Sequence, residues 1–286
     1  PSFSGARGKP IVYAAFPGDE HAVIIDGAGT NNRGVVEIRA KDYITIEGLR
    51  IINAKTDGIY IEGAPDQQHG HHVIRNCQID TTGNAGIYVC GLVMGKTIPV
   101  DTYRTIDILI EGNDVTNTNT PSGGNECITV GGGVEGVVVR NNVIHDSRQY
   151  GIDFKLGVRN GRIHNNHIYN LDKHGVYLDA ACRTVESVVV YNNDIHDCDA
   201  NGITIAREAD RGKKEGYAQN IRDIDIYNNV IFRCKRGVLI YRHVWDTVIN
   251  DFDDVRIFNN TIYDNQIENC RFVDLDSIVT NFVFAN

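Results

Sequence analysis

Asn165-Asn166-His167-Ile168 and, a few residues later, Gly175-Val176-Tyr177-Leu178 are two phrases that this chain repeats. The first phrase, Asn-Asn-x-Ile, recurs at 141–144, 192–195, 228–231 and 259–262, with weaker copies at 76–79 and 112–115. The second, Gly-apolar-x-apolar, recurs at 86–89, 151–154, 202–205 and 237–240. Two phrases that return together at a near-constant period are typical of a stacked solenoid, which the sequence therefore predicts.

The repeat is built from strands rather than helices. Its apolar landmark advances by as few as 24 residues, from Ile144 to Ile168, and by as many as 36, from Ile195 to Ile231, where loops are inserted. Segments such as 224–226 (Ile-Asp-Ile) alternate with period two, and β-branched residues dominate the apolar positions. The sequence thus predicts an all-β fold, a single-stranded parallel β-solenoid. The landmarks are Ile51, Ile79, Val115, Ile144, Ile168, Ile195, Ile231 and Ile262.

The second asparagine of each phrase occupies a fixed place, two residues before the landmark. An inward amide there can bond the backbone of the turn and the amide of the next coil, so the sequence predicts an internal asparagine ladder. Leu49 and Cys77 fill the same place in the first coils, and the ladder is expected to begin after them. Its predicted members are Asn113, Asn142, Asn166, Asn193, Asn229 and Asn260.

These phrases resemble the right-handed parallel β-helix of the pectate lyase-like superfamily over residues 40–286, and 8–18 and 23–27 look like the first coils of secreted members. The resemblance implies one β-helix domain over 1–286, with roughly eight to ten coils, in a secreted or extracellular protein. Because 282–286 reads like another phrase cut short, the domain is expected to be part of a longer chain. The fold alone does not choose between lyases, hydrolases, epimerases and non-catalytic proteins.

Composition narrows the classes of partner. The formal net charge of −9 argues against nucleic acid, whose binders need a basic surface. No apolar run is long enough to predict a membrane span. The seven cysteines are scattered without a Cys-x-x-Cys pair, so zinc is not predicted and most are expected to be buried free thiols.

The resemblance implies a substrate groove on the sheet of the Gly-apolar strands. Alternation there turns Asp153, Lys155, Tyr177 and Asp179 outward, and stacking should bring them into one patch. Charged and aromatic residues surround this patch, and each class has an expected role. The predicted catalytic residues are Lys155, Asp153, Asp179, Arg183 and Glu208. The predicted substrate-binding residues are Tyr177, His174, Tyr150, Arg207, Arg242 and His243. The predicted ligands of a possible Ca²⁺ are Glu126, Asp153 and Asp179.

Three functions fit these residues, all on a polysaccharide or oligosaccharide. A lyase cleaving uronic acid chains by β-elimination would neutralise the sugar carboxylate with calcium and use Lys155 or Arg183 as the base; we favour this interpretation because cations share the groove with carboxylates. A glycoside hydrolase would use Asp153 and Asp179 as paired carboxylates, with Glu208 as another acid. A non-catalytic carbohydrate-binding solenoid would carry the same residues as a solvated ladder.

Histidines outside the groove have other expected positions. His145 and His196 follow the landmark isoleucines, where aromatic residues also occur, so we expect them to stack on the outside of another sheet. The histidines of 69–72 fall near Asp66 and Gln67 in an expected loop, where a metal is a lesser alternative to a solvated loop.

Overall fold

Three parallel sheets form the protein. The computed structural model describes residues 1–65, 67–91, 103–120, 124–181, 183–207, 220–242, 252–273, 279–281 and 283–285. Each coil up to Glu268–Val273 adds one strand to each sheet, and the neighbours in each sheet come from consecutive coils; Val279–Thr280 and Val283–Ala285 then both pair with Phe252–Phe258. No helix in these ranges is both long enough and apolar enough to cross a bilayer.

The three sheets follow one another along each coil. Sheet 1 holds Ile11–Ala14, Ile44–Glu47, His69–Arg75, Thr105–Glu111, Val134–Arg140, Val158–His164, Val185–Tyr191, Ile221–Tyr227, Phe252–Phe258, Val279–Thr280 and Val283–Ala285. Sheet 2 holds Ile24–Asp26, Arg50–Ala54, Gln78–Thr82, Asp114–Thr116, Val143–Ser147, His167–Leu171, Asp194–Cys198, Val230–Phe232 and Thr261–Tyr263. Sheet 3 holds Gly34–Arg39, Asp57–Glu62, Ile87–Cys90, Ile128–Gly131, Ile152–Lys155, Val176–Asp179, Asn201–Arg207, Arg236–Arg242 and Glu268–Val273.

The two asparagines of each phrase turn the chain from sheet 1 to sheet 2. The first adopts a left-handed conformation, with φ near 55° at Asn165 and Asn192, which asparagine tolerates better than most residues. The second points inward: the Asn166 Nδ2 donates to Asn193 Oδ1 at 2.9 Å, and the Asn193 Nδ2 donates to Asn229 Oδ1 at 2.9 Å. The same carbonyl oxygens accept backbone N–H groups of the preceding coil, so each amide closes one turn and joins two coils. The predicted ladder is confirmed from Asn113 to Asn260.

The landmark residues form the core. Ile51, Ile79, Val115, Ile144, Ile168, Ile195 and Ile231 pair in register along sheet 2 and are fully buried. Apolar side chains from sheets 1 and 3 pack against them in one continuous cluster. The outside of sheet 2 carries a stack of rings that includes His145 on Tyr169 and His196 on Phe232, as the sequence predicted.

Two expectations need comment. The segment with His69, His71 and His72 is not a loop, because it forms the strand His69–Arg75 of sheet 1; Asp66 lies outside the described residues. The strand was hidden because its alternation is interrupted at His71, which has a left-handed φ of 58° and falls out of the pairing register. Most described cysteines are buried free thiols, and Cys270 is half-buried.

Candidate active site on sheet 3

Three rows of side chains run along the outer face of sheet 3. One row stands at the start of the strands, directly before the glycine of the second phrase, as at Tyr150, His174 and Asn201. The middle row aligns Thr129, Asp153, Tyr177 and Thr204 in register, and the third row aligns Gly131, Lys155, Asp179 and Ala206. The outer face is nevertheless largely covered, since Asp153 is 1% and Tyr177 2% exposed. The sheet therefore offers a confined polar floor rather than a solvated ladder.

A buried ion cluster occupies the middle of this floor. The Lys155 ammonium donates to Glu126 Oε2 at 2.7 Å and contacts Asp153 Oδ2 at 3.0 Å. Thr129 donates its hydroxyl to the same Glu126 oxygen at 2.7 Å and accepts the Glu126 backbone N–H, which fixes that carboxylate. The Glu126 and Asp153 side chains are almost completely buried, and the Lys155 side chain is 14% exposed. We call Glu126, Lys155 and Asp153 the ion cluster.

The electrostatics of the ion cluster favour an extra proton on a carboxyl group. Burial raises the pKa of Asp153 well above its usual range, and Glu126 and Asp179 add to the rise, although Lys155 opposes it. Burial alone would lower the pKa of Lys155, but its two carboxylate partners outweigh burial and raise the pKa. Lys155 is therefore an ammonium, and Asp153 Oδ1 is buried without a hydrogen-bond partner among the described residues.

An aromatic group lies beside the ion cluster, with Tyr150 on the same coil as Asp153 and with His174 and Tyr177 on the next coil. The Tyr150 ring stacks on His174 at 4.9 Å and lies 5.1 Å from the ring of Tyr177, whose hydroxyl is 2.8 Å from that of Tyr241. The Asn201 backbone N–H donates to His174 Nδ1 at 3.1 Å. Burial lowers the pKa of His174 to about 4, and Lys173 lowers it further. His174 is thus neutral near pH 7, with its proton on Nε2.

Cationic side chains stand at the strand ends that follow. Arg183 and Arg207 are buried, and Arg207 pairs in register with Arg242. Gly157, with φ 88°, makes room for Arg183: a Cβ at this glycine would lie 3.2 Å from the Arg183 Cβ and Nε atoms. Of the remaining predicted residues, Glu208 and His243 lie outside the described residues.

The two aspartates proposed as a hydrolytic pair are not direct neighbours. Asp179 stands opposite Lys155, and Asp153 stands opposite Tyr177, so the aspartates are related diagonally across two strands. Lys155 thus lies beside Asp179 in register and bonds Asp153 on its own strand. The structure brings Asp153, Lys155, Tyr177 and Asp179 together as the alternation predicted.

Sequence reasoning missed part of the row at the strand starts. It singled out Glu126, Tyr150 and His174. It did not single out Asn201, whose backbone N–H bonds and orients His174. It also missed Asp57, which is fully buried and accepts a hydrogen bond from Arg33 Nε at 2.5 Å. The signal was available, because Asp57, Tyr150, His174 and Asn201 each immediately precede a glycine. Ahead of the ion cluster this face continues with Tyr60 and Tyr88, which lie under the Arg33 guanidinium at 5.2 and 5.0 Å.

Comparison with known proteins agrees with the sheet topology. A family model described as the right handed beta helix region matches residues 94–213. The chain is a right-handed parallel β-helix. No curated protein matches its sequence.

Several solved structures share this β-helix. The periplasmic alginate epimerase AlgG matches with a TM-score of 0.67 and 13% identity over 92% of this chain and 58% of its own. The Azotobacter vinelandii mannuronan C-5 epimerase AlgE4 A-module gives 0.65 and 16% over 91% and 65%. An exopolygalacturonase from Thermotoga maritima gives 0.53 and 19% over 86% and 55%. The chain thus spans roughly three fifths of these proteins, and at such identities the similarity establishes the fold.

Proposed function

We propose that this β-helix is a carbohydrate-active enzyme that removes the C5 proton of a uronic acid residue in a polysaccharide, and that β-elimination follows. The observation that carries the proposal is the buried ion cluster, in which the Lys155 ammonium contacts Glu126 at 2.7 Å and Asp153 at 3.0 Å, and the pKa values of Lys155 and Asp153 are both raised. A neutral sugar would need no such charge on the groove floor. The similar solved structures, whose names include an alginate epimerase and an exopolygalacturonase, support a polysaccharide substrate.

The first chemical requirement is to neutralise the uronate carboxylate, because its negative charge makes loss of the neighbouring C5 proton unfavourable. The Lys155 ammonium supplies positive charge, and a protonated Asp153 supplies a hydrogen bond from a neutral carboxylic acid, as a buried acid with a raised pKa can. Both groups are held before substrate arrives, so little reorganisation is needed as charge develops on the carboxylate. The arginines at the strand ends, Arg183, Arg207 and Arg242, extend the positive charge to neighbouring uronates.

The second requirement is a proton acceptor. The sequence favoured Lys155 or Arg183, but the raised pKa of Lys155 makes it an ammonium that cannot accept a proton. A base must be unprotonated, so Tyr150 is a candidate as the phenolate: it precedes Asp153 in the same coil, and its ring packs on His174. Arg183 is a candidate only as the neutral guanidine, a form that arginine reaches less readily than lysine reaches the free amine. His174, neutral with its proton on Nε2, acts as a hydrogen-bond donor toward the departing oxygen rather than as the base.

Calcium fits this site less well than lysine does. Glu126, Asp153 and Asp179 are oxygen donors of the kind calcium prefers. However, the Lys155 ammonium contacts the first two carboxylates at 2.7 and 3.0 Å, so a cation would have to displace it. We therefore assign neutralisation to Lys155 and expect activity to survive chelation. If chelator abolished the activity and calcium restored it, calcium rather than Lys155 would neutralise the carboxylate, and Lys155 would again be a candidate base.

Inversion at C5 is a second candidate outcome. Two of the similar solved structures are named as epimerases, one of them as a C-5 epimerase, and inversion at C5 begins with loss of the same proton. The ion cluster serves either outcome, because both reactions pass through the same anion, in which the charge left at C5 is delocalised onto the carboxylate. Which outcome follows depends on whether the C4 oxygen leaves or C5 takes a proton on its other face.

The test is incubation of the protein with polyuronates and with neutral polysaccharides in deuterated water, with and without chelator. Ultraviolet absorbance of unsaturated ends indicates elimination, and deuterium at C5 without absorbance indicates epimerisation. New reducing ends with neither signal would indicate hydrolysis and overturn the proposal in favour of Asp153 and Asp179 as hydrolytic carboxylates. Silence on every polyuronate would favour a binding solenoid.

Three variants localise the activity. Lys155→Met should reduce turnover by about a hundredfold or more, because it removes the charge that stabilises the developing anion. Tyr150→Phe and Arg183→Lys separate the two candidate bases. The variant that removes the true base should lose turnover, while its substrate affinity should change little. Arg140→Met is the control: Arg140 forms a similar cross-coil ion pair with Glu111, at 2.6 Å, on the outside of sheet 1. Equal activity of Lys155→Met and Arg140→Met would exclude the ion cluster from catalysis.

A further inference from the structure

A second cluster of reactive side chains lies on sheet 2, away from the ion cluster on sheet 3. His167 stands opposite Asp194 on the next coil, and His196 follows Asp194 on the same face. The potential ligand atoms of these three residues all lie within 4.8 Å of one another. The two imidazole Nε2 atoms are 2.9 Å apart. His167 and Asp194 are exposed and His196 is half-buried, so an ion has access from solvent.

The geometry points to a site for a divalent transition metal, and we propose that His167, His196 and Asp194 bind Cu²⁺ or Zn²⁺. Two imidazole nitrogens at about 2.0–2.1 Å from an ion, and at right angles to each other, lie about 2.9 Å apart. Imidazole with carboxylate suits copper, nickel and zinc, and copper is expected to bind most tightly. Water would complete the coordination on the exposed side.

His196 is oriented for this role by its other nitrogen. Its Nδ1 lies 2.6 Å from Asp197 Oδ2, and Arg233 donates to the same carboxylate at 2.6 and 2.7 Å. Because both Asp197 oxygens accept from the Arg233 guanidinium, the carboxylate is held in place as the acceptor for the His196 ring. The His196 proton therefore sits on Nδ1, and Nε2 presents its lone pair to His167. A carboxylate that fixes the tautomer of a histidine in this way commonly supports a metal ligand.

Ring packing limits the movement of both imidazoles. His196 stacks between Tyr169, at 5.3 Å and 10°, and Phe232, at 4.8 Å and 25°. His167 packs against Tyr169 at 4.6 Å. Without an ion, one imidazole N–H donates across the 2.9 Å gap to the other Nε2. When a metal binds, His167 carries its proton on Nδ1, so both Nε2 lone pairs face the ion and both imidazoles stay neutral. Because His167 and His196 belong to consecutive coils, the ion would cross-link them.

The test uses the whole metal-free chain without an affinity tag, titrated with Cu²⁺ and with Zn²⁺ by calorimetry. One ion should bind per chain, and His167→Gln or His196→Gln should weaken binding by about tenfold or more. His145→Gln is the matched control: this histidine belongs to the same ring stack, but its nitrogens lie 3.1 Å from Asp114 and 2.7 Å from Asp146. Unchanged affinity in His167→Gln, or equal loss in His145→Gln, would overturn the proposal.

A spectroscopic readout protects the test against variants that fold poorly. Electron paramagnetic resonance of the wild-type chain with one equivalent of Cu²⁺ should show coupling to two imidazole nitrogens. Coupling to one nitrogen or none would overturn the site without reference to any variant. Ion binding should also raise the unfolding temperature of the wild type with increasing metal concentration.

Discussion

The turn between sheets 1 and 2 repeats the same residues from coil to coil, whereas the outer face of sheet 3 changes its residues from coil to coil. At the turn, successive coils carry the same amide in the same hydrogen bonds, as Asn166, Asn193 and Asn229 show. On the outer face of sheet 3, the equivalent residues of successive coils differ, and Asp153 is followed by Tyr177 and then by a threonine. Repetition marks positions where every coil needs the same bonds. Departure from the repeat marks the few coils that gather charge, and in this molecule those are the coils of the ion cluster.

The largest expected effect on the free energy of unfolding comes from breaking the ion cluster. Lys155→Met would leave Glu126 and Asp153 buried without their cation and should destabilise the fold by about 3–5 kcal/mol near pH 7. The loss should shrink at acid pH, because protonation of a carboxyl removes the uncompensated charge. Urea denaturation at several pH values measures both effects. Arg140→Met, which breaks an exposed pair with Glu111, should cost less than about 1 kcal/mol. Similar losses for the two variants would show that the buried contacts of Lys155 stabilise the fold no more than a solvent-accessible ion pair does.

A smaller loss of stability is expected at the turn, where two adjacent asparagines have different structural roles. Asn193→Ala removes a buried amide that donates to Ile163 O and Asn229 Oδ1 and accepts from Asn166, and each buried group left unpaired costs about 1–3 kcal/mol. We expect a total loss of about 2–4 kcal/mol, since some groups find new partners. Asn192→Gly should change stability by less than about 1 kcal/mol, because Asn192 is exposed and glycine accepts its φ of 55°. Equal losses in urea denaturation would contradict the division of roles.

The sequence predicted the repeated half of this comparison better than the unrepeated half. The asparagine column and the landmark isoleucines followed from spacing alone, because each copy confirms the others. Alternation also placed Asp153 beside Lys155 and Tyr177 on one face. The raised pKa of Lys155 could not be predicted in full, since it depends on Asp153 and also on Glu126, a residue from another coil that meets Lys155 only in the folded chain.

Two further features escaped the sequence for similar reasons. The strand at His69–Arg75 was read as a loop because His71, with φ 58°, interrupts its alternation, although pairing with Thr105–Glu111 on the next coil secures it. The burial of outward residues such as Tyr177 was also hidden, since periodicity gives the direction of a side chain but not what covers it. Both misses concern contacts between coils that no repeat position encodes.

The smallest expected effect concerns His72, a buried histidine of sheet 1 that repeats in no other coil. Its Nδ1 accepts the Ile44 backbone N–H at 3.2 Å, and burial lowers its pKa to about 4, although Asp42 opposes the shift. The unfolded chain binds this proton below about pH 6.5 and the folded chain only near pH 4, so stability should fall as the pH falls between those values. Between pH 7 and pH 6 the loss from His72 should be less than about 1 kcal/mol.

His72→Gln keeps a hydrogen-bond acceptor but removes the titrating group, so its stability should vary less with pH than that of the wild type. Urea midpoints of both proteins at pH 7, 6 and 5 measure the difference, and proton NMR of the wild-type imidazole follows the titration directly. Parallel pH profiles would show that His72 does not titrate as its burial requires. A reduced slope would instead show that an irregular position of the solenoid carries a pH response that the repeated asparagines, which do not titrate, cannot provide.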